Sequence, residues 1–231
     1  MRNPLRFPLL LPLLLMTSTF WAVPGVRAQA PEGPGPRVSL SAGMGVEYAS
    51  YSDVTTLINA TLPYGGAAPG FKSAVEFFGA FALPLSELWL LKLEYAYTLA
   101  SWSPQGAYGP ATISVTMNMP SVILQYMLTD RGVYNVKVGA GGGFHFGNMN
   151  EKYSYLDNTY AGKGPGMVFE IEANTAFGDH LFAFLGGNIR WELIGPISDG
   201  SGTSPGVGSG GLAVTLRSFG AGARLGACYL F

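Results

Sequence analysis

Residues 219–231 read FGAGARLGACYLF, and the rest of the chain is organised around them. Counting back from Phe231, every second residue is apolar or small: Phe231, Tyr229, Ala227, Leu225, Ala223, Ala221 and Phe219. The intervening set, Leu230, Cys228, Gly226, Arg224, Gly222 and Gly220, is mostly glycine around one charge. A period of two is that of a β-strand. Its oily face ends on an aromatic pair, and its other face suits a narrow space better than open water.

The same alternation recurs upstream. Strands are expected from Val38, with Leu40, Met44, Val46 and Tyr48 opposite Glu47, and over 72–83, with Val75, Phe77, Phe81 and Leu83 opposite Lys72 and Glu76. Residues 88–101 set Trp89, Leu91, Leu93, Tyr95 and Tyr97 against Lys92 and Glu94. Residues 112–128 change phase: Ile113, Val115, Met117 and Met119 share one parity, whereas Val122, Leu124, Tyr126 and Leu128 share the other. A β-bulge at Pro120-Ser121, where a strand tolerates proline, is expected to shift the parity by one and bring both sets to one face. Further strands are expected over 134–146 (Lys137 on the polar face), 167–176 (Glu170 and Glu172) and 181–193 (Asn188, Arg190 and Glu192). With the terminal strand this makes eight. Pro84–Glu87, Asp130-Arg131-Gly132 and Gly178-Asp179-His180 are tight turns. The other connections, 50–70, 102–110, 147–164 and 195–211, are long and polar, so long and short links alternate around an up-and-down antiparallel barrel.

Composition agrees. Of 231 residues 48% are apolar and only 12% charged, with 33 glycines and a single cysteine, which suits a β-rich chain without a fully solvated surface. Residues 1–28 carry Arg2 and Arg6, an apolar run and Val26-Arg27-Ala28, the features of a secretory signal peptide cut after Ala28, with Ala30 the second choice. Residues 29–37 form a Pro/Gly-rich leader, and 38–231 the barrel domain. Cleavage leaves 10 basic against 14 acidic residues, a net charge of −4, so no basic face invites nucleic acid. Past the signal, no run approaches the ~18 apolar residues of a spanning helix. If the mature chain lies in a membrane, it crosses as strands.

Alternation alone does not say which face meets lipid. Aromatics at strand ends form two bands, Trp89, Tyr126, Tyr134, Phe177, Tyr229 and Phe231 at one edge and Tyr48, Tyr97, Phe146, Trp191 and Phe219 at the other, as bilayer interfaces select. The polar face mixes small residues with near-balanced charges: Glu47, Glu76, Glu94, Glu170, Glu172 and Glu192 against Lys72, Lys92, Lys137, Arg190 and Arg224. Buried charges are tolerable when paired, so these are expected to plug the lumen, with Arg224 between Glu47 and the Arg190/Glu192 pair.

The terminal strand with Tyr229 and Phe231 resembles the insertion signal of bacterial outer-membrane β-barrels. The run MNMPSVILQYML, a short turn, then YNVKVGAGGGFHFG is similar to the central hairpin of the outer-membrane β-barrel domains common in Bacteroidota-type proteins. The mature chain thus resembles small OmpA/OmpX-like barrels. That likeness implies an all-β, eight-stranded transmembrane barrel with short periplasmic turns and long outer loops. It also implies an outer-membrane location, contact with membrane lipid and lipopolysaccharide, and handling by periplasmic chaperones and the barrel-assembly machinery. With the sequence ending at Phe231, no peptidoglycan-binding domain is expected to follow. The implied role is structural or surface-binding through the outer loops, with a narrow channel or a lipid-modifying enzyme as alternatives.

Little catalytic chemistry stands out. His180 falls in a turn. His145 faces the lumen and resembles in kind the histidine of barrel enzymes acting on lipid A, but no motif supplies its serine or acid partner, so no enzymatic activity is expected. Gly139, Gly141 and Gly143 read as close approach within a strand, since no helix follows to make a phosphate loop. Glu170 and Glu172 line the lumen opposite lysines in preference to binding a cation. No Cys/His spacing suggests a metal, and no cofactor is expected.

Overall fold

The computed structural model describes residues 37–61, 72–103, 105–106, 109–110, 112–153, 156–205 and 213–231. The expected signal peptide and all of the leader but Arg37 lie outside them. In chain order come β1 (Ser39–Ser50), α1 (Ser52–Thr61), β2 (Ala74–Pro84), β3 (Trp89–Trp102), the two-residue strands β4 (Gln105–Gly106) and β5 (Gly109–Pro110), β6 (Thr112–Asp130), β7 (Tyr134–Tyr153), β8 (Leu156–Ala176), β9 (Leu181–Pro196) and β10 (Thr215–Leu230). The eight long strands close into one antiparallel barrel, each beside its neighbours in sequence, with β1 sealed against β10. The seam runs from Ser39↔Leu230 to Ser50↔Phe219 and pairs Gly45 with Arg224.

The tight turns follow from local chemistry. Gly132 takes φ 72°, a conformation open to a residue without Cβ, and its N–H donates to the Asp130 carboxylate at 2.9 Å. The Phe177 amide donates to the Leu181 carbonyl at 2.7 Å to close the β8–β9 turn.

The apolar face of the alternation points outward. Leu40, Val46, Phe77, Leu93, Val122, Phe169, Ile171, Leu185 and Leu225 are all exposed. A water-soluble barrel turns such residues inward, so this exterior is a lipid surface. The two aromatic bands lie on it. Trp89 and Tyr126 face each other across β3 and β6 with ring centroids 5.0 Å apart at one end. Trp191 and Phe219 do so across β9 and β10, 6.1 Å apart, at the other.

Several boundaries differ from the sequence expectation. β6 runs through Pro120-Ser121 without a bulge: Tyr95↔Pro120 and Glu94↔Ser121 continue one register. The β6–β7 irregularity falls between Met127 and Thr129. The two parities therefore face opposite sides: Val122, Leu124 and Leu128 face lipid, whereas Ile113, Val115, Met117 and Met119 are buried inside. Pro120 sits on the outward side. Residues 147–164 are mostly not a loop but the tall β7–β8 hairpin, paired from Tyr134↔Thr175 up to Tyr153↔Leu156. The connection after β1 contains α1. Lys72, expected among the lumen charges, lies exposed before β2.

The glycine run of β7 packs where close approach demands it. A Cβ on Gly141 would overlap the Val122 carbonyl oxygen, and one on Gly143 the Pro120 carbonyl oxygen.

Candidate functional site

Inward positions of the strands fill the lumen in two stories. The lower one is ionic. Lys92 on β3 sits among three carboxylates, with Glu94 and Glu170 both at 2.9 Å and Glu172 in direct contact. Lys137 on β7 takes the other oxygen of Glu172 at 3.0 Å, and the Gln125 amide donates to Glu170 at 2.7 Å. Arg224 reaches across the lumen to β2 and β3. Its Nε donates to Glu76 at 3.1 Å, Nη1 to Glu94 at 2.9 Å, and Nη2 to both carboxylates. Arg190 joins the same pair, 2.6 Å from Glu94 and 3.3 Å from Glu76. The Arg224 guanidinium also lies 4.8 Å from the ring centre of Phe78.

The arrangement departs from the expected one at Arg224. Its ionic partners are Glu76, Glu94 and, at 3.6 Å, Glu170. Glu47 is buried yet forms no ion pair among the described residues, its carboxylate lying over Gly220 instead. Glu192 meets His145. The reason is geometric: an arginine is long enough to cross a narrow barrel, so adjacency at the seam does not choose its partner. Within the spanning part the buried charges are Glu47, Glu76, Glu94, Glu170, Glu172 and Glu192 against Lys92, Lys137, Arg190 and Arg224, six carboxylates to four cations.

The upper story is apolar. Ile113, Val115, Met117, Met149, Ile194 and Leu216 form one buried cluster with Tyr51, Val54, Leu57 and Ile58 of α1 and the residue before it. The helix starts at Ser52 with Asp53 in its first turn, where a carboxylate suits the helix dipole. Val54, Leu57 and Ile58 make its buried stripe. Asp53 also clasps β10, accepting from the Thr215 hydroxyl at 2.5 Å and its amide at 3.3 Å. α1 is thus a cap over the outer mouth.

Between the stories lies the group that sequence reasoning missed. His145, fully buried, bonds through Nδ1 to a Glu192 carboxylate oxygen and through Nε2 to the Ser121 hydroxyl at 3.1 Å. The serine and the acid stand on β6 and β9, apart in sequence, so no linear motif could show them. His180 is exposed and donates to the Leu230 carbonyl at 2.9 Å. Tyr229 and Phe231 are exposed on the outer face, their rings 5.1 Å apart.

Above the outer aromatic band, burial pushes the Glu151 carboxyl up, and hydrogen bonds from the Ser201 hydroxyl and the Thr203 amide hold Asp199 below the usual carboxylate range.

A closed barrel with an oily exterior, aromatic bands and a filled, charged interior is an integral outer-membrane β-barrel protein. No family model matches the chain, and no curated protein does. Solved structures are similar to it in fold. A major outer membrane protein from Thermus thermophilus superposes with TM-score 0.53 at 14% identity, over 85% of this chain and 100% of that one. Neisserial surface protein A superposes with TM-score 0.52 at 10% identity, over 84% and 97%. Ail, the attachment invasion locus protein of Yersinia pestis, solved with the heparin analogue sucrose octasulfate, superposes with TM-score 0.50 at 8% identity, over 85% and 99%.

Proposed function

We propose that the protein is a non-conducting outer-membrane barrel whose working surface is its outer face, serving as a structural or surface-binding protein. The observation that carries this reading is double closure: the cross-lumen clamp of Arg224 on Glu76 and Glu94 below, and the apolar cap of α1 above. With the pore filled, recognition falls to the segments beyond the outer aromatic band, above all the tall β7–β8 hairpin, and needs no chemistry inside the barrel.

Membrane lipid is the first partner, and lipopolysaccharide the one suited to the outer rim. Lys163, paired with Phe146, and Arg217, two residues before Phe219, are exposed on the outward faces of β8 and β10, where cations meet the phosphates of an outer leaflet. The exposed pair Tyr229 and Phe231 is the terminal signal offered to the assembly machinery, with chaperones carrying the chain there. Single-channel recording of the refolded protein tests the main claim. Silent bilayers are expected, and steady conductance would replace this reading with that of a narrow channel.

A further inference from the structure

One group of side chains serves neither the ion clamp nor the helix cap. Ser121, His145 and Glu192 form a continuous buried chain, with the hydroxyl 3.1 Å from one ring nitrogen and the carboxylate bonded to the other. An imidazole held this way accepts a serine proton while the acid fixes its tautomer. Two further observations make the group more than a polar contact. Arg190 lies two residues before Glu192 on the same inward face of β9, and its buried Nε–H has no partner among the described residues. Its Nη1 is 3.9 Å from the sulfur of Met119, two residues from Ser121. An unpaired buried donor is costly at rest and useful where negative charge develops. The second observation is that Met119 belongs to the apolar upper story, so the relay lies beneath a packed apolar cluster that α1 covers.

We propose that Ser121, His145 and Arg190 form a hydrolytic site for a carboxylic ester carrying a slender apolar acyl chain, which lies in the upper lumen in place of α1. Ser121 Oγ attacks the ester carbonyl carbon as its proton passes to His145 Nε2, and the carbonyl oxygen takes up negative charge toward Arg190 Nε–H. Collapse breaks the ester bond, the departing alcohol takes the proton from Nε2, and an acyl-serine remains. A water, deprotonated by the same nitrogen, releases the carboxylic acid and restores the serine. Glu192 is a positioning residue, orienting the ring through Nδ1. Entry requires α1 to lift, and lifting it breaks the Asp53 clasp on Thr215. This activity is additional to the non-conducting role and survives whatever the recordings show.

The test uses the refolded full chain in detergent micelles with a long-chain alkyl fluorophosphonate and long- and short-chain p-nitrophenyl esters. The expected adduct maps to the peptide holding Ser121 and forms faster in Asp53→Ala. Hydrolysis favours the long chain, vanishes in Ser121→Ala, and falls about 10³-fold or more in His145→Gln, which keeps a hydrogen bond without taking the proton. Glu192→Gln lowers kcat and alters the pH profile, which a merely structural contact would not do. Heat-modifiable migration verifies each variant's fold. Absence of a Ser121 adduct in folded wild-type and Asp53→Ala barrels overturns the proposal, as does labelling that persists in His145→Gln or ignores chain length.

Discussion

Replacing Arg224 by methionine removes the cation that ties three strands together across the lumen. Its guanidinium makes hydrogen bonds of 3.1, 2.9 and 3.0 Å to Glu76 and Glu94, besides one close contact to Glu76. The deletion also moves the lumen from six carboxylates against four cations to six against three. Breaking a buried pair by removing one partner costs about 3–5 kcal/mol, because the remaining charge is left desolvated. The two acids do not suffer equally. Glu94 keeps Lys92 at 2.9 Å and Arg190 at 2.6 Å, whereas Glu76 keeps only the longer 3.3 Å pair with Arg190 and a 3.4 Å amide contact from Asn188. Most of the loss therefore belongs to Glu76, and neutralising it should return part of it. Urea unfolding in micelles, followed by the heat-modifiable band, should show Arg224→Met destabilised by about 3–5 kcal/mol. The double variant Arg224→Met/Glu76→Gln should recover at least about 1 kcal/mol against additivity. A single variant within about 1 kcal/mol of wild type, or a strictly additive double, would show that the clamp is not what holds the lumen together.

Other outcomes follow from the same geometry. Gly141→Val should block assembly, because a Cβ there meets the Val122 carbonyl of the paired strand, and the yield of heat-modifiable protein measures it. Asp53→Ala removes two acceptor contacts to Thr215 and should loosen α1 by about 1–3 kcal/mol, read as faster hydrogen exchange in residues 52–61, while bilayers stay silent because the ion clamp persists. Asp199 is depressed by its bonds from Ser201 and Thr203, so its turn keeps its order above the ordinary carboxylate value and loses it as pH falls through the depressed one; exchange of the Ser201 and Thr203 amides reports it. Glu151 has the opposite sign. Burial raises its carboxyl, so the β7–β8 hairpin is most stable at low pH and weakens as pH rises from the ordinary carboxylate value through the raised one, a dependence that Glu151→Gln should abolish in urea titrations at several pH values.

The barrel itself was legible in the sequence because a strand's period of two leaves little freedom once one face is recognised. In the terminal strand, Gly220, Gly222 and Gly226 around Arg224 mark the narrow side, and the exposed Leu225 and Phe219 mark the lipid side. Partners across the lumen were not legible, since periodicity fixes which way Arg224 points but not how far it reaches. For the same reason Ser121 and Glu192 stayed invisible beside His145: a relay assembled from β6, β7 and β9 has no linear spacing.

The upper lumen shows where pattern reading needs one further step. Ile113, Val115, Met117 and Met119 share a parity with Ser121 and Gln125, so a single unbulged strand must turn all of them inward. The bulge at Pro120-Ser121 is needed only if every oily residue has to face lipid. An apolar inward face is stable when something apolar covers it, and the connection just after β1 holds the cover: Val54, Leu57 and Ile58 at helical spacing behind Ser52 and Asp53, a helix start signal. An unexplained oily stripe on a strand and an unpartnered oily stripe on a short helix satisfy each other's burial requirement. A chain whose outer connections lacked such a helix would leave the top of that stripe open to water, where polar or small residues suit better.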